Sequence, residues 1–404
     1  MKEVDNMKKI LFLGGSKQQI PAIQYAKDKG YFTILCDFLK DNPGQFVADK
    51  FYCESTTDLD KMLEISLENE IDGIVAYASD PAALTAAYVG NKMHLHSNPY
   101  KSVEILSKKN LFRKFLSDNG FNCPKATSFK NKNNILKQIE SFRFPLIIKP
   151  IDSSGSKGVS KINSFDEIDR KFDLAMENSR GKVVIIEEFI EREHEYMIAG
   201  DAFVIDGKVV YFGLLNSYRD FNVNEFVPIG TSYPTLLNEE KIEKVKHEVQ
   251  RVVDLLEIKN GALNLELMFD CSGRIYIIEI GPRNGGNMIP DLLKMATDVD
   301  LISATVESAL GETNLYINGT EEKRYYSTYV IHSNKDGVLK NIKFDDRIKD
   351  NLIRKIIYKN EGDFVECFNG ANKALGIVFL KFNSLNEQIE IQNNINDLIK
   401  VELL

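Results

Sequence analysis

Residues Leu263–Asn287 read LNLELMFDCSGRIYIIEIGPRNGGN, and this stretch decides the fold. Two apolar runs, Leu263 to Phe269 and Arg274 to Ile280, flank Asp270-Cys271-Ser272-Gly273, which has the composition of a hairpin turn. With the turn on those four residues, Phe269 opposes Arg274, Glu266 opposes Ile277 and Asn264 opposes Glu279. Period-two alternation then projects Asn264, Glu266 and Glu279 from one face. The two carboxylates become diagonal neighbours about 5 to 8 Å apart. Like charges that close, set among Leu, Met and Ile, require a cation between them. Oxygen donors alone suit magnesium, with manganese as the alternative. The bland reading is a solvent-facing side of a sheet with incidental acids.

Directly after Glu279 the chain runs Ile280-Gly281-Pro282-Arg283-Asn284-Gly285-Gly286-Asn287. Arg283 is tied to the acidic strand by a stiff Gly-Pro step and followed by a flexible, donor-rich loop, a suitable place for a cation that stabilises a transition state. Upstream, FPLIIKP ends an apolar strand on Lys149, and Ser153-Ser154-Gly155-Ser156-Lys157-Gly158 follows within a few residues. Glycines let the backbone approach a ligand, while amides, hydroxyls and ammonium groups all donate to phosphate oxygens. A surface hairpin loop has this composition too. Between these stretches, the run Val183 to Ile186 leads into Glu187-Glu188-Phe189-Ile190 and then Glu193-His194-Glu195-Tyr196. The backbone of a strand leaving a core can meet the edge of a flat base, and a carboxylate a few residues on can meet a ribose. An acidic solvated turn is the alternative.

The chain opens with a strand, Lys8 to Gly14, a Gly14-Gly15-Ser16 turn, a helical pattern to Gly30 and a second strand ending at Asp37, a right-handed parallel βαβ unit. Amides after the turn suit an anion, and Asp37 sits where a ribose-binding acid would stand, but the third glycine of a dinucleotide fingerprint is missing. A nicotinamide site, a small anionic ligand and a purely structural turn all remain open. In the middle of the chain, hairpin signals at Asp206-Gly207 and a long amphipathic helix, Glu239 to Leu256, indicate α+β structure.

The 404 residues are enough for two or three domains. A net charge of −8 supplies no global field for nucleic acid or anionic lipid. Five scattered cysteines without a C-x-x-C pair fit a reducing cytosol, and neither a signal peptide nor an apolar span is expected. A cytoplasmic location follows as the expectation.

Taken in order, these stretches resemble the ATP-grasp superfamily, specifically its carboxylate-amine ligase branch. The resemblance covers nearly the whole chain. It implies an α/β plus α+β fold, with an N-terminal parallel βαβ domain over 1–100, a two-lobed nucleotide-binding module over 101–310 whose lid is about 122–188, and a C-terminal α+β portion over 311–404. Lys109, in SKKNLFRKFL, and Lys149 then resemble the family's phosphate lysines, and Ser153 to Gly158 its flap. Glu187 or Glu188, with the backbone of Phe189 and Ile190, would contact adenine, and Glu195 the ribose. Glu266 and Glu279 resemble the magnesium carboxylates, and Arg283 the arginine beside the transferred phosphate. Gly281 departs from the pattern, since many relatives place a metal-binding Asn there; Asn264 or Asn287 would compensate.

The implied chemistry is ATP-dependent joining of a small-molecule carboxylate to an amine or ammonia through an acyl phosphate. A non-catalytic Mg-ATP scaffold is the alternative. Arg219, within Asn216 to Pro234, is a candidate for holding a substrate anion, against the reading of an exposed arginine on a surface loop. Without a glutamine-hydrolysing segment in this sequence, the amine is expected to arrive free. Amino acids are the first guess for the acid, sugar acids or other metabolite carboxylates the next, and a homodimer is allowed.

Overall fold

The computed structural model describes residues 7–133, 135–320 and 322–404. The first layer is a four-stranded parallel sheet in the order Lys50–Tyr52, Phe32–Cys36, Lys9–Leu13, Gly73–Val75. Its strands are buried on both faces because helices Ile20–Asp28 and Leu59–Asn69 cover it, which is why Lys9–Leu13 reads as a continuous apolar run.

The glycine turn after the first strand is braced from within. Gly14 N donates to the Cys36 carbonyl at 2.8 Å, Gly15 N to Asp37 Oδ2 at 2.7 Å, and Ser16 N to Gln19 Oε1 at 2.9 Å. The turn's amides are satisfied from within, and Asp37 is spent on Gly15 rather than turned toward a ribose. With both oxygens of Asp37 used, by Gly15 N and Leu39 N, the dinucleotide reading of this turn does not survive.

Four antiparallel strands, in the order Ala126–Phe129, Val184–Glu188, Leu146–Pro150, Ser160–Ile162, form a small sheet. Helix Ile168–Glu177 backs it, and Phe129, Ile148, Phe172 and Ile186 give it a core of its own. The third layer is an eight-stranded antiparallel sheet. Its order is Ile275–Gly281, Gly261–Phe269, Met197–Ile205, Lys208–Asp220, Asn224–Tyr233, Tyr325–Ile331, Gly376–Phe382, Leu352–Ile357. Helix Glu239–Leu255 lays Val245, Val249, Val252 and Val253 against it, the stripe its 3.6-residue period requires.

Two expectations change here. The hairpin turn is shorter than expected: Asp270 N donates to the Arg274 carbonyl at 3.0 Å, so only Cys271 to Gly273 form the loop, with Gly273 at φ +75. Phe269 therefore pairs with Ile275, and a bulge beyond Leu267 brings Glu266 directly opposite Glu279, with Asn264 opposite Gly281. The carboxylates are cross-strand partners, closer than the diagonal placement. Second, Asn216 to Pro234 is no surface loop. It is the paired ends of Lys208–Asp220 and Asn224–Tyr233, and Arg219 on it is buried. Among the described residues no helix is long and apolar enough to cross a membrane.

Candidate active site

A cleft of about 390 Å³ lies between the small sheet and the eight-stranded sheet, with the N-terminal layer at one end. Ile147, Ile190, Met197, Met268 and Ile278 line an apolar part, and Lys109, Asn264, Glu266, Glu279 and Arg283 a polar one. Lys149, Ser153 to Ser156, Glu187, Glu188, Phe189, Arg219 and Asn287 also line it. Sequence reasoning thus gathers residues from four distant stretches into one cleft. Lys157, Gly158 and Glu195 are not among its lining residues. Lys157 and Glu195 are exposed, Glu195 because the strand that enters the core starts only at Met197.

The polar wall is a lattice of opposite charges. Arg219 Nη2 donates to Glu266 Oε1 at 2.8 Å, and Arg219 Nη1 to Ser217 Oγ at 2.6 Å. Lys109, at the first turn of helix Lys109–Asp118, donates to the Ser153 carbonyl at 2.9 Å and lies 3.6 Å from Glu279 Oε2. Arg283 donates through Nε to Asp80 Oδ1 at 2.7 Å and pairs with the same oxygen through Nη2 at 2.6 Å. Glu266 and Glu279 are each about one-third exposed toward the cleft. Facing one another with oxygen donors only, and with Arg219 and Lys109 drawn in as the neutralising charges, they fit magnesium. No group of three or more His, Cys, Asp or Glu side chains close enough to hold an ion occurs among the described residues. Such an ion needs further oxygens from a ligand.

Glu187 does not present its carboxylate to a base. It is buried between Lys149, which donates to Oε1, and Arg113, whose Nε donates to Oε2 at 2.9 Å. Burial pushes Glu187 toward neutrality, but the two cations outweigh it and hold its pKa at about 2. Burial draws the Lys149 ammonium below the usual lysine range despite Glu187. Glu188 accepts from Arg143 Nη2 at 2.8 Å and from Arg143 N at 3.1 Å. Main-chain Phe189 N donates to the Pro145 carbonyl at 3.0 Å, fixing the segment that lines the apolar part.

Asp201 escaped the sequence reading, although an acid in the apolar strand MIAGDAFVI is a signal for it. Fully buried, it accepts from Gly285 N at 2.8 and 2.9 Å and from Asn264 Nδ2 at 3.0 Å. Burial raises its pKa to about 6. Since Asn264 Nδ2 also donates to the Gly200 carbonyl at 3.0 Å, both amide hydrogens are used inward and Oδ1 is left for the cleft. The loop after Arg283 is not a free set of donors. Gly285 N is held by Asp201, and Asn287 N donates to Gln18 Oε1 at 2.9 Å. The flap rests on the far wall, with Ser156 Oγ donating to the Phe226 carbonyl at 2.7 Å and Ala371 N to the Gly155 carbonyl at 3.4 Å.

A sequence family described as an ATP-grasp domain matches residues 142–291, which carry the lid lysine, the flap, both facing glutamates and Arg283. Over that segment the chain is similar to an ATP-grasp domain. The carbamoyl phosphate synthase large chain of Thermotoga petrophila is 26% identical to the present sequence over 265 residues, 64% of this chain but 23% of that one. The chain therefore spans under a third of that curated relative's length. Among solved structures, the L-amino acid ligase from Bacillus licheniformis superposes with a TM-score of 0.82 at 20% identity, covering 98% and 99% of the two chains. The biotin carboxylase domain of the Hydrogenobacter thermophilus 2-oxoglutarate carboxylase, in complex with MgADP, gives 0.74 at 14% identity over 98% and 91%.

Proposed function

We propose that the protein is an ADP-forming ligase that joins a small-molecule carboxylate to an amine or ammonia through an acyl phosphate. The observation that carries the reading is the Glu266–Glu279 cross-strand pair facing a cleft into which Lys109, Lys149, Arg219 and Arg283 also converge. Adenine fits between Ile147, Ile190, Met197, Met268 and Ile278, beside the fixed main chain at Phe189. Its triphosphate then runs beneath the flap toward the glutamates. Bound magnesium would be held by Glu266, Glu279 and the Asn264 oxygen and would neutralise the transferring phosphoryl oxygens.

The remaining work falls to side chains. Lys109 and Lys149 hold the β and γ phosphates; Arg283 faces the charge that builds on the phosphoryl group as the substrate carboxylate attacks. Arg219 holds an anionic group of the acid once metal has claimed part of the charge of Glu266. The amine then attacks the acyl carbon, phosphate departs, and the amine nitrogen gives up a proton. No cysteine or serine nucleophile is required, since positioning and screening of charge supply the catalysis. Amino acids are the first candidates for the acid, with free amine or ammonia as acceptor.

A panel of acids and amines, read by phosphate release and product mass, tests the proposal. The expected result is ADP and phosphate formation that depends on the correct acid, with hydroxylamine giving a hydroxamate. Release of AMP and pyrophosphate refutes it. Tight Mg-ATP binding without turnover across the panel favours a nucleotide-binding scaffold instead.

A further inference from the structure

Gly281 follows Glu279 by two residues at the end of the acidic strand, and the structure shows what fills the space beside it. A Cβ at 281 would stand 3.0 Å from Asp80 Oδ1 and 3.2 Å from both Cζ and Nε of Arg283. Contacts that close force a neighbour to move. The volume beside Gly281 is therefore occupied by the Asp80–Arg283 ion pair, whose acidic member comes from the N-terminal layer, 203 residues away in sequence.

The pair is well made. One carboxylate oxygen receives both Nε and Nη2 of Arg283, while Nη1 donates to the Asn284 carbonyl at 2.8 Å. Three of five guanidinium hydrogens are thus fixed, leaving two to receive a ligand. Asp80 opens helix Asp80–Met93 beside Pro81, so its backbone is anchored in a 14-residue helix and its side chain has little freedom to follow Arg283 elsewhere. Arg283 does have somewhere else to go. Behind it, between that helix and residues Asn260 to Ala262 and Thr305 to Ala309, lies a second cavity of about 110 Å³ that Arg283 also lines. An arginine between two cavities has at least two places to put its charge, and Asp80 selects one of them.

We propose that Asp80 is the positioning residue for Arg283, and that glycine at 281 leaves the pair its place, since a side chain there would crowd it. The chemical meaning assigned to Arg283 rests on the ligase reading, but the pairing does not. Without Asp80 the guanidinium relaxes toward the rear cavity and loses its hold on a terminal phosphoryl group, while contacts to the two inner phosphates are unaffected.

The test measures dissociation constants of Mg-ATP and Mg-ADP by competition with a fluorescent nucleotide, in wild type and in Asp80→Asn, Asp80→Glu, Gly281→Ala and Arg283→Ala. Asp80→Asn is expected to lower the preference for ATP over ADP about tenfold with ADP affinity unchanged, and Asp80→Glu to restore part of it. Gly281→Ala is expected to lower the preference in the same direction, and to add nothing in the Asp80→Asn background. Asp80→Asn is likewise expected to add nothing to Arg283→Ala. An unchanged preference, tighter ATP binding in Asp80→Asn, or full additivity with Arg283→Ala each overturns the proposal; tighter binding would mean that Asp80 restrains Arg283. Because the readout is binding, the proposal can be judged even if no acid and amine pair gives turnover and the ligase reading fails.

Discussion

Replacing Glu187 with Gln separates two roles that one buried carboxylate could play. Its side chain is held on one oxygen by Lys149 and on the other by Arg113, and all three groups are buried. Glutamine keeps the shape but removes the charge, leaving a buried ammonium and a buried guanidinium with no counterion. Breaking a buried ion pair from one side costs about 3–5 kcal/mol. The depressed pKa gives an independent figure of the same order. A carboxylate held at about 2 rather than 4.5 contributes about 3 kcal/mol at neutral pH. That contribution is complete above pH 4.5 and is lost as the pH falls through about 2. The chain contains no Trp, so urea unfolding is followed by circular dichroism and tyrosine fluorescence. Glu187→Gln is expected to lose about 3–5 kcal/mol at pH 7, and Lys149→Met added to it should recover part of the loss. Mg-ATP affinity, measured where the variant is still folded, should fall only modestly. If stability changes by under about 1 kcal/mol while ATP affinity drops tenfold, Glu187 touches the base and the reasoning is wrong.

Further outcomes follow from the same geometry. Glu279→Gln should abolish turnover and weaken Mg-ATP binding with little loss of stability, because Glu279 is part-exposed and its nearest cation, Lys109, has a second partner; wild-type turnover would refute the metal assignment. Glu266→Gln differs in that it strips the buried Arg219 of its carboxylate, so a stability loss of about 2–4 kcal/mol should accompany the loss of activity, measured by denaturant titration. With its pKa raised to about 6, Asp201 contributes stability that is full below pH 3.8 and lost as the pH rises through about 6. Wild type should therefore lose about 3 kcal/mol relative to Asp201→Asn between pH 4 and 7, and parallel pH profiles would count against a buried ionisation. Trypsin should cut at the exposed Lys157 in free protein and more slowly with Mg-ATP, as the flap gains phosphate contacts beyond its bonds at Gly155 and Ser156 to the far wall.

Much of this architecture was legible in the sequence because local patterns dictated it. Apolar alternation around a glycine turn produced the acidic hairpin, and the run of serines and glycines after Lys149 produced the flap. Register was not legible to the residue. A three-residue loop and a bulge at Ile278 are decided by the left-handed backbone at Gly273 and by Asp270, which accepts from Ser272 and Arg274. Charge pairing was hidden for another reason. Asp80 lies 203 residues from Arg283 and Arg113 lies 74 from Glu187, so no window of sequence joins them. Lone acids within apolar strands, as at Asp201, were the readable trace of such partners. Glu195 shows the converse, since a carboxylate at nearly the right spacing was carried to the surface by the turn that precedes Met197.

The eight-stranded sheet runs without a break across residue 310. Strand Tyr325–Ile331 is hydrogen-bonded on one side to Asn224–Tyr233 and on the other to Gly376–Phe382. Phe203 and Leu292 share one apolar core with Phe379 and Ile395. A truncation at 310 would therefore not release a nucleotide-binding module from an appendage. It would leave Asn224–Tyr233 as a raw edge, ready to pair with another chain, and would bare the apolar side of the wall that holds Arg219. The residues after 310 act as a buttress, completing the sheet and the core behind the wall of the cleft.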